Sequence, residues 1–506
     1  MHRLQSRCHQ AATYNARMIL KICLISAEVA PFSKTGGLAD VCGALTKYLQ
    51  SAGHELYVFT PFYSVIDRLA LEHYPVPALQ NLMLEVGAHR YPYSVTAALL
   101  PGTQAQIYLI DCPILYARAS IYTTDPDEHL RYIALTRAAF ECCQRLNVGP
   151  QIVHSHDWHA AFAPLYLKAV YDRERLFEET RSVLTIHNIG YQGVFAASAA
   201  ADLGLGSRSD RLHQEDLRAG HINALKHGIM YADAITTVSP TYAREIRTDE
   251  YGMGLQYALR ARGDALSGIL NGVDYQEWDP RTDHYLPSHY DAEHLQTKAA
   301  LKREFLERLK IEVSATAPLV GLVSRMAAQK GFDLLFDSLP RALLARDFAF
   351  VALGSGEPRY ERFFADLQQR FPGRAVFTSG YNDELAHWIE AASDLFLMPS
   401  LYEPCGLNQM YSLRYGTVPI VRRTGGLADT VEHYNPATRQ GTGIVFDAFS
   451  PAACARALDT GLDLYSRPDH WAQLVKNGMR QDFSWSRQGA LYVELYERLA
   501  CATTGV

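Results

Sequence analysis

The sequence predicts an α/β protein made of two doubly wound domains, each built around a parallel sheet. Three observations support this fold class. Short apolar runs that end in glycine or polar turns alternate with helical patterns, as repeated βαβ units do. The alternation stops over residues 278–317, which are polar and contain prolines, and then resumes. The chain has 506 residues, more than the roughly 250–300 residues that a single core usually holds.

The same pattern sets the expected domain boundaries. We expect a first domain over residues 18–278, a second over 279–484, and a last helix over 485–506 that packs back on the first domain. Residues 1–17 contain no acidic residue and no hydrophobic segment, and Met18 directly precedes the first strand. We interpret these residues as an extension or a non-native start, although a transit peptide has a similar composition.

The first domain begins with an apolar run at residues 19–25, which predicts its first strand. After the turn at residues 34–37, apolar residues recur at helical spacing, namely at Leu38, Val41, Cys42, Leu45 and Leu49. Further strands of this domain are predicted at residues 56–59, 106–110, 152–154, 183–186 and 234–238.

The second domain follows a charged helix predicted near residues 298–309. Its strands are predicted at residues 319–323, 348–353, 395–398 and 418–421. Doubly wound sheets bind ligands at the carboxyl ends of their strands, so two such domains facing each other would form a deep cleft. The string TGGLAD occurs at residues 35–40 and again at 424–429. We interpret it as two similar turns that face a ligand.

Composition excludes several function classes. The net charge of -6 and the pI near 6.3 argue against a nucleic-acid binder, which usually carries a basic surplus. No apolar stretch reaches the roughly 20 residues that span a bilayer, so no membrane partner is expected. The nine cysteines are odd in number and lack paired C-x-x-C spacing. That usage favours a reduced, cytoplasmic compartment.

Two loops carry the features of a phosphate site. Lys34 and the pair Gly36 and Gly37 join a strand to a helix start, where backbone N–H groups favour anions. Arg325 and Lys330 follow a buried strand, where two cations could neutralise a departing diphosphate. The alternatives are a structural turn for the first loop and a solvated polar loop for the second.

Other polar residues follow predicted strands. Glu403 lies where a carboxylate could hold the hydroxyls of a sugar, or it is merely solvated. The run HSHDWH at residues 154–159 suggests zinc, but its spacing favours Asp157 and Trp158 as residues that line a cleft. His187 also follows a strand, where an isolated histidine is often structural. Asp125-Pro126-Asp127 is interpreted as a surface turn and not as a metal-binding Asp-x-Asp.

Taken in order along the chain, nine segments resemble the glycogen and starch synthases, the ADP-glucose-using family of GT-B glycosyltransferases. The resemblance extends from Lys21 to about Trp485. It rests on residues 34–41, 156–159, 185–188, 191–195, 223–226, 237–240, 268–274, 403–407 and 422–430.

This resemblance implies a GT-B fold and transfer of glucose, with retention, from ADP-glucose to the 4-hydroxyl end of glycogen or another α-1,4-glucan. No metal and no other cofactor is implied. The donor would be bound by Lys34, Gly36, Gly37, Arg325, Lys330, Tyr381, Glu403, Cys405, Gly406 and Leu407. His187 would lie beside the anomeric carbon, and Asp157 would line the acceptor side, so that the catalytic set is His187, Glu403, Arg325, Lys330 and Asp157.

Some positions depart from the family pattern. Leu401 stands where the family commonly has arginine, Asn408 where bacterial members often have threonine, and Tyr411 where many retaining GT-B enzymes carry a second glutamate. The sequence leaves open a related enzyme that uses UDP-glucose or another acceptor. It also leaves open a pyridoxal-phosphate phosphorylase and a glucan-binding scaffold without catalysis.

Overall fold

The computed structural model describes residues 18–314 and 316–502. The prediction for residues 1–17 lies outside these ranges. The chain divides into two compact units. Unit 1 contains the described residues up to Val238, Ala243–Gly272, and those from Trp485 onward. Unit 2 contains Ser239–Tyr242 and Val273–Ser484.

The strands and helices are numbered here in chain order. The strands are β1 Lys21–Ile25, β2 Glu55–Pro61, β3 Tyr74–Pro75, β4 Leu82–Val86, β5 His89–Leu99, β6 Gln106–Asp111, β7 Ile152–His156, β8 Arg181–Ile186, β9 Val194–Ala196, β10 His221–Asn223, β11 Ala234–Thr237, β12 Leu266–Gly268, β13 Leu319–Val323, β14 Ala349–Gly354, β15 Ala375–Ser379, β16 Leu395–Met398, β17 Val418–Arg422 and β18 Ile444–Phe446. The α-helices are α1 Gly37–Ser51, α2 Pro113–Tyr116, α3 Glu128–Arg145, α4 Asp157–Ala160, α5 Ala163–Ala169, α6 Gln214–Arg218, α7 Ala224–Tyr231, α8 Pro240–Glu245, α9 Gln256–Ala261, α10 Gln296–Arg308, α11 Leu335–Ala345, α12 Pro358–Arg370, α13 Asp383–Ala392, α14 Asn408–Tyr415, α15 Gly425–Thr430, α16 Pro451–Tyr465, α17 Pro468–Met479 and α18 Trp485–Ala502.

Unit 1 is built on a large sheet of order β12-β11-β8-β7-β1-β2-β6-β5-β3, with β4 paired to β5. The pairs from β12 to β6 are parallel, and β5 runs antiparallel to β6. The strand order reverses between β1 and β7, which are neighbours although they are far apart in the chain.

Unit 2 is built on a six-stranded sheet of order β15-β14-β13-β16-β17-β18, parallel throughout. This is the 3-2-1-4-5-6 order of a Rossmann fold, with its reversal between β13 and β16. Strands in such sheets are covered on both faces and are therefore near-continuous apolar runs. The LFLM of β16 is buried at all four positions. The predicted class, two doubly wound α/β domains with parallel sheets, is confirmed.

Each unit has its own hydrophobic core. In unit 1, helix α1 buries the predicted apolar face against the sheet. The last helix, α18, belongs to this unit and packs on α1, where Gly489 lies so close to Tyr48 that a Cβ would be 2.3 Å from its ring. Tyr496 on the same helix bonds His154 of β7, with 2.7 Å between the hydroxyl and Nδ1.

The boundary between the units lies after Gly272, six residues before the predicted one. Val273 donates a backbone hydrogen bond to Phe483 (2.7 Å). The Trp278 ring stacks on His387 and on Tyr411, with ring centroids 3.8 and 4.0 Å apart. These contacts hold residues 273–278 in unit 2. The polar linker is thus part of the packing of unit 2, which composition alone did not indicate.

Two antiparallel regions were not predicted from the sequence. Strands β3 to β5 form the antiparallel edge of the large sheet, and β9 pairs with β10 in a separate two-stranded antiparallel sheet. Strand β5 alternates buried and exposed residues over much of its length and contains Pro92. A half-exposed strand with a proline lacks the apolar run that marks the parallel strands.

Candidate functional site

In unit 2, two polar loops follow the strands on either side of the sheet reversal. The loop after β13 carries Arg325 and Lys330, and the loop after β16 carries Glu403. Because β13 and β16 are neighbouring parallel strands, both loops start from the same edge of the sheet. Ligands of doubly wound folds bind at this point.

The two loops are joined by an ion pair between Lys330 and Glu403. The Lys330 Nζ donates to Glu403 Oε2 over 2.7 Å, and both side chains are largely buried. Ser400 donates a second hydrogen bond to the same carboxylate oxygen (2.9 Å). Two predicted donor-binding residues that are 73 positions apart therefore contact each other directly.

Backbone contacts fix the same two loops. Leu401 N donates to Gln329 O (2.9 Å), and the side-chain Nε2 of Gln329 donates to the backbone oxygen of Tyr402 (3.3 Å). Gly331 has φ +70°, and a Cβ there would be 2.1 Å from Pro399 O. Any residue with a Cβ at position 331 would clash with this oxygen, so the position requires glycine.

The turn that contains the second TGGLAD sequence, at residues 424–429, contacts the loop that carries Glu403. Gly426 N donates to Glu403 O (3.1 Å), and a Cβ on Gly426 would be 2.1 Å from Cys405 O. Gln409 donates to the carbonyl oxygens of Cys405 (3.1 Å) and Gly406 (3.0 Å). In the structure this turn holds the segment Glu403–Leu407 in shape, a role that its sequence did not indicate.

The remaining predicted residues of unit 2 lie at the same end of the sheet. Arg325 is exposed. Tyr381 follows β15, is 75% exposed, and its hydroxyl bonds Asp383. Of the departures from the family pattern, Asn408 donates to Val323 O (3.2 Å), and Tyr411 packs on the linker through Trp278.

In unit 1, polar residues again follow the strands at the reversal, β1 and β7. The loop after β1 carries Lys34, whose Nζ lies 2.8 Å from the Asp40 carboxylate in the first turn of α1. Gly36 precedes α1 and Gly37 is its first residue. Gly36 has an extended backbone (φ −165°), and a Cβ there would meet no described heavy atom within 4 Å. Neither backbone geometry nor packing selects glycine at position 36.

Glu28, which the sequence reasoning missed, supports this loop. Its buried carboxylate accepts hydrogen bonds from the backbone and hydroxyl of Thr35 and from the Tyr122 hydroxyl. Burial raises the pKa of Glu28, while the hydrogen bonds from Tyr122 and Thr35 act in the opposite direction. A lone acidic residue just after an apolar strand was the signal that could have found it.

Asp157 and His187 lie together at the ends of β7 and β8. The Asp157 Oδ1 accepts a hydrogen bond from the His187 backbone N–H (2.7 Å). Asp157 has φ +54°, a conformation that is uncommon for a residue other than glycine and often marks functional sites. Burial raises the pKa of the Asp157 carboxyl to about 7 and lowers that of His187 to about 3. The environment therefore shifts both side chains toward their uncharged forms.

The other histidines of the HSHDWH run are buried. The His154 ring bonds Thr185 (2.6 Å) through Nε2, and the His156 Nδ1 lies 3.0 Å from the His187 Nε2. Within residues 18–314 and 316–502, no group of three or more His, Cys, Asp or Glu side chains is arranged to hold a metal ion. Trp158 packs on Gly193, where a Cβ would be 2.2 Å from the ring.

Asp125-Pro126-Asp127 forms a turn before α3, as predicted. Both aspartates pair with Arg118. Over the part of the chain that the structure describes, no helix is long and apolar enough to cross a membrane, and the eight described cysteines are all free thiols.

Known proteins resemble the chain over nearly its whole length. Residues 21–261 match the family model for the starch synthase catalytic domain, and residues 305–478 match that for glycosyl transferases group 1. A glycogen synthase of Pseudothermotoga lettingae is 39% identical over 486 residues, 94% of this chain and 98% of its own. One of Anaeromyxobacter dehalogenans is 43% identical over 486 residues, 95% of this chain and 100% of its own.

Solved structures agree with this result. The catalytic domain of Starch Synthase IV from Arabidopsis thaliana, bound to ADP and acarbose, has a TM-score of 0.87 and 33% identity. That comparison covers 96% of this chain and 100% of the other. A sucrose-phosphate synthase from Thermosynechococcus elongatus, at 18% identity and a TM-score of 0.60 over 96% of this chain and 100% of that one, shares the fold.

Two Rossmann-like domains with these similarities define a glycosyltransferase of the GT-B class. The chain belongs to the glycogen and starch synthase family, and it is a glucosyltransferase. The predictions of family, fold class and glucosyl transfer are thereby confirmed.

Proposed function

We propose that this protein transfers glucose from ADP-glucose, with retention at the anomeric carbon, to the 4-hydroxyl at the non-reducing end of an α-1,4-glucan such as glycogen. The observation that carries the proposal is the ion pair between Lys330 and Glu403 at the reversal point of the unit 2 sheet. The similar starch synthase structure, which holds ADP and acarbose, supports the choice of substrates.

In this proposal, Arg325 and Lys330 bind the diphosphate. Arg325 is exposed and can bind an anion directly. Lys330, in contrast, must break its contact with Glu403 before it binds the phosphate oxygens. That exchange releases the carboxylate of Glu403 to accept hydrogen bonds from glucose hydroxyls, while Ser400 keeps it in place. The backbone amides of Cys405, Gly406 and Leu407 add donors. Tyr381 packs against the adenine.

Unit 1 supplies a further cation, Lys34, together with backbone N–H groups and two buried side chains, His187 and Asp157. Lys34 and the N–H groups at the start of α1 contact the donor, since helix starts favour phosphate. The glycines at 36 and 37 then admit close approach of the substrate. His187 lies beside the anomeric carbon, and Asp157 lines the acceptor side. The near-neutral pKa of Asp157 suits a side chain that donates or accepts a hydrogen bond at a sugar hydroxyl.

The proposed chemistry is a front-face displacement. The bond between the anomeric carbon and the phosphate oxygen breaks as the acceptor 4-hydroxyl attacks from the same face. The hydroxyl proton passes to the leaving phosphate oxygen, so no protein nucleophile is needed. Arg325 and Lys330 stabilise the charge that develops on the diphosphate, and the proposal therefore requires no metal ion.

A donor competition assay tests this function. The purified protein is given labelled ADP-glucose or UDP-glucose with a maltooligosaccharide primer, in the presence and absence of a chelator. We expect incorporation from ADP-glucose, unaffected by the chelator, and products that α-amylase digests. A preference for UDP-glucose, loss of transfer on chelation, or a β-linked product would contradict the corresponding part of the proposal.

A further inference from the structure

His156 and His187 form a buried pair, of which only His187 has a role in the proposed function. His156 ends β7, and its register partner on β8 is Thr185, two residues before His187. Since alternate residues of a strand face the same side, His156 and His187 meet on one face of the sheet. The His156 Nδ1 lies 3.0 Å from the His187 Nε2.

Burial determines the protonation of this pair. It lowers the pKa of both rings, that of His187 to about 3, so both are neutral near pH 7. A neutral imidazole has one donor and one acceptor nitrogen. The contact between the rings therefore holds a single proton, which lies either on His156 or on His187.

The other ring nitrogen of His156, Nε2, decides between these two states. His156 is completely buried, and its Nε2 has no hydrogen-bond partner within the described residues. A proton on that nitrogen would be a buried N–H without an acceptor, which is unfavourable because its desolvation is not compensated. A proton on Nδ1 instead donates to His187. The favoured state has His156 as the donor, and His187 then carries its own proton on Nδ1.

We propose that His156 is a positioning residue that fixes the tautomer and orientation of His187, so that His187 presents its Nδ1–H as a hydrogen-bond donor to the substrate. The final step of this inference rests on the proposed function, in which His187 contacts the glucosyl group. The His154 ring packs against His156, with centroids 4.1 Å apart, and holds that ring in place.

Two substitutions of His156 distinguish the effect of its Nδ1–H donor from the effect of its ring. The side-chain amide of asparagine places an N–H close to the position of histidine Nδ1, whereas that of glutamine places one near Nε2. His156→Asn can keep the bond to His187, and His156→Gln cannot. A misplacement of about 1 Å in a reacting group can cost on the order of 100-fold in rate. We expect kcat to fall about 10- to 100-fold in His156→Gln, with little change in KM, and to fall much less in His156→Asn.

A spectroscopic readout is independent of activity. Protein labelled with ¹⁵N-histidine is assigned at His187 by comparison with His187→Gln, and the ¹⁵N shifts report which ring nitrogen carries the proton. We expect Nδ1 to be protonated in wild type and in His156→Asn, and this state to be lost or mixed in His156→Gln. A proton on Nε2 of wild-type His187, or equal loss of activity in the Asn and Gln variants, would overturn the proposal.

The same experiments distinguish failure of the proposed function. If His187→Ala leaves glucosyl transfer unchanged, His187 does not act on the substrate and the proposed function fails at that residue. The tautomer measurements in wild type and in His156→Gln still decide whether His156 sets the protonation of His187.

Discussion

The two units place polar residues at the same topological point but in opposite electrostatic settings. At the reversal of the unit 2 sheet, Lys330 and Glu403 form an ion pair. At the reversal of the unit 1 sheet, the pKa of Asp157 is raised and that of the neighbouring His187 is lowered, so burial favours the uncharged form of both. The same kind of fold thus holds a charged pair after β13 and β16 in unit 2 and buried groups that are shifted toward their uncharged forms after β7 and β8 in unit 1.

The largest expected effect is on the charged site. Lys330→Ala should lower kcat about 100-fold or more, because removing a group that stabilises charge in the transition state typically costs ~3 kcal/mol. Glu403→Ala should lower kcat by about the same factor, because the glucose is no longer held in position for the displacement. Steady-state rates of glucose incorporation measure the loss. Lys476→Ala is the matched control, since Lys476 forms a similar pair with Glu293 (2.9 Å) at the surface of the same unit. Near-normal turnover in either site variant would remove that residue from the mechanism.

The next largest effect is expected at Gly426, in the turn that contacts the loop carrying Glu403. Gly426→Ala places a methyl group 2.1 Å from Cys405 O, and overpacking of this kind costs about 1–3 kcal/mol. We expect a lower melting temperature and a reduced kcat, because the loop must move away from Gly426. If the variant melted like wild type and kept its rate, the turn would not be what shapes the loop.

The raised pKa of Asp157 predicts a pH-dependent effect on stability. The Asp157 pKa is about 7 when folded and about 3.9 when unfolded. The folded state therefore binds the extra proton between pH 4 and 7, and its stability falls as the pH rises through that window. Asp157→Asn removes this penalty, worth roughly 2 to 4 kcal/mol, while lowering activity. We expect denaturant melts to show the variant more stable than wild type at pH 8, with the difference vanishing near pH 4.

Asp233 is a control, because its pKa is shifted in the opposite direction to that of Asp157. Its pKa is lowered, because hydrogen bonds from Ser182 and Lys168 outweigh the effect of burial. Asp233→Asn should destabilise the protein at pH 8 and cost less as the pH falls. Equal behaviour of the two variants across this range would contradict the electrostatic contrast between the two carboxylates.

The smallest structural effect is expected at Gly36. A Cβ there meets no described atom within 4 Å, so Gly36→Ala should change the melting temperature by less than about 2 °C. If substrate approaches this backbone, KM for the donor should rise about tenfold, the cost of one misplaced methyl group. An unchanged KM would place the substrate elsewhere, and a large loss of stability would mean that position 36 is packed.

The sequence was sufficient for the features that local chemistry determines. Buried parallel strands are apolar runs, and strands β13 and β16 were predicted to the residue. The loops that follow them were recognisable because Arg325 and Glu403 lie within five residues of the ends of those strands. By contrast, the edge strand β5 is half exposed and contains Pro92, which conceals it from an apolar-run pattern.

Long-range contacts could not be predicted in the same way. The partnership of Glu28 and Tyr122 joins residues 94 positions apart, and no local pattern relates them. The boundary was predicted after Trp278 because the polar stretch begins there, yet Trp278 stacks within unit 2. The Lys330–Glu403 pair joins two residues that were predicted separately, but their direct contact appears only in three dimensions.

Titration of ADP into three proteins, followed by calorimetry, tests the central claim that Lys330 exchanges Glu403 for the diphosphate. Lys330→Ala should bind ADP at least tenfold more weakly than wild type, because it loses a phosphate-binding cation. Glu403→Ala should bind ADP as tightly as wild type or more tightly, since the carboxylate no longer competes for Lys330, although its turnover is lost. If Glu403→Ala weakened ADP binding as much as Lys330→Ala does, the exchange would be contradicted.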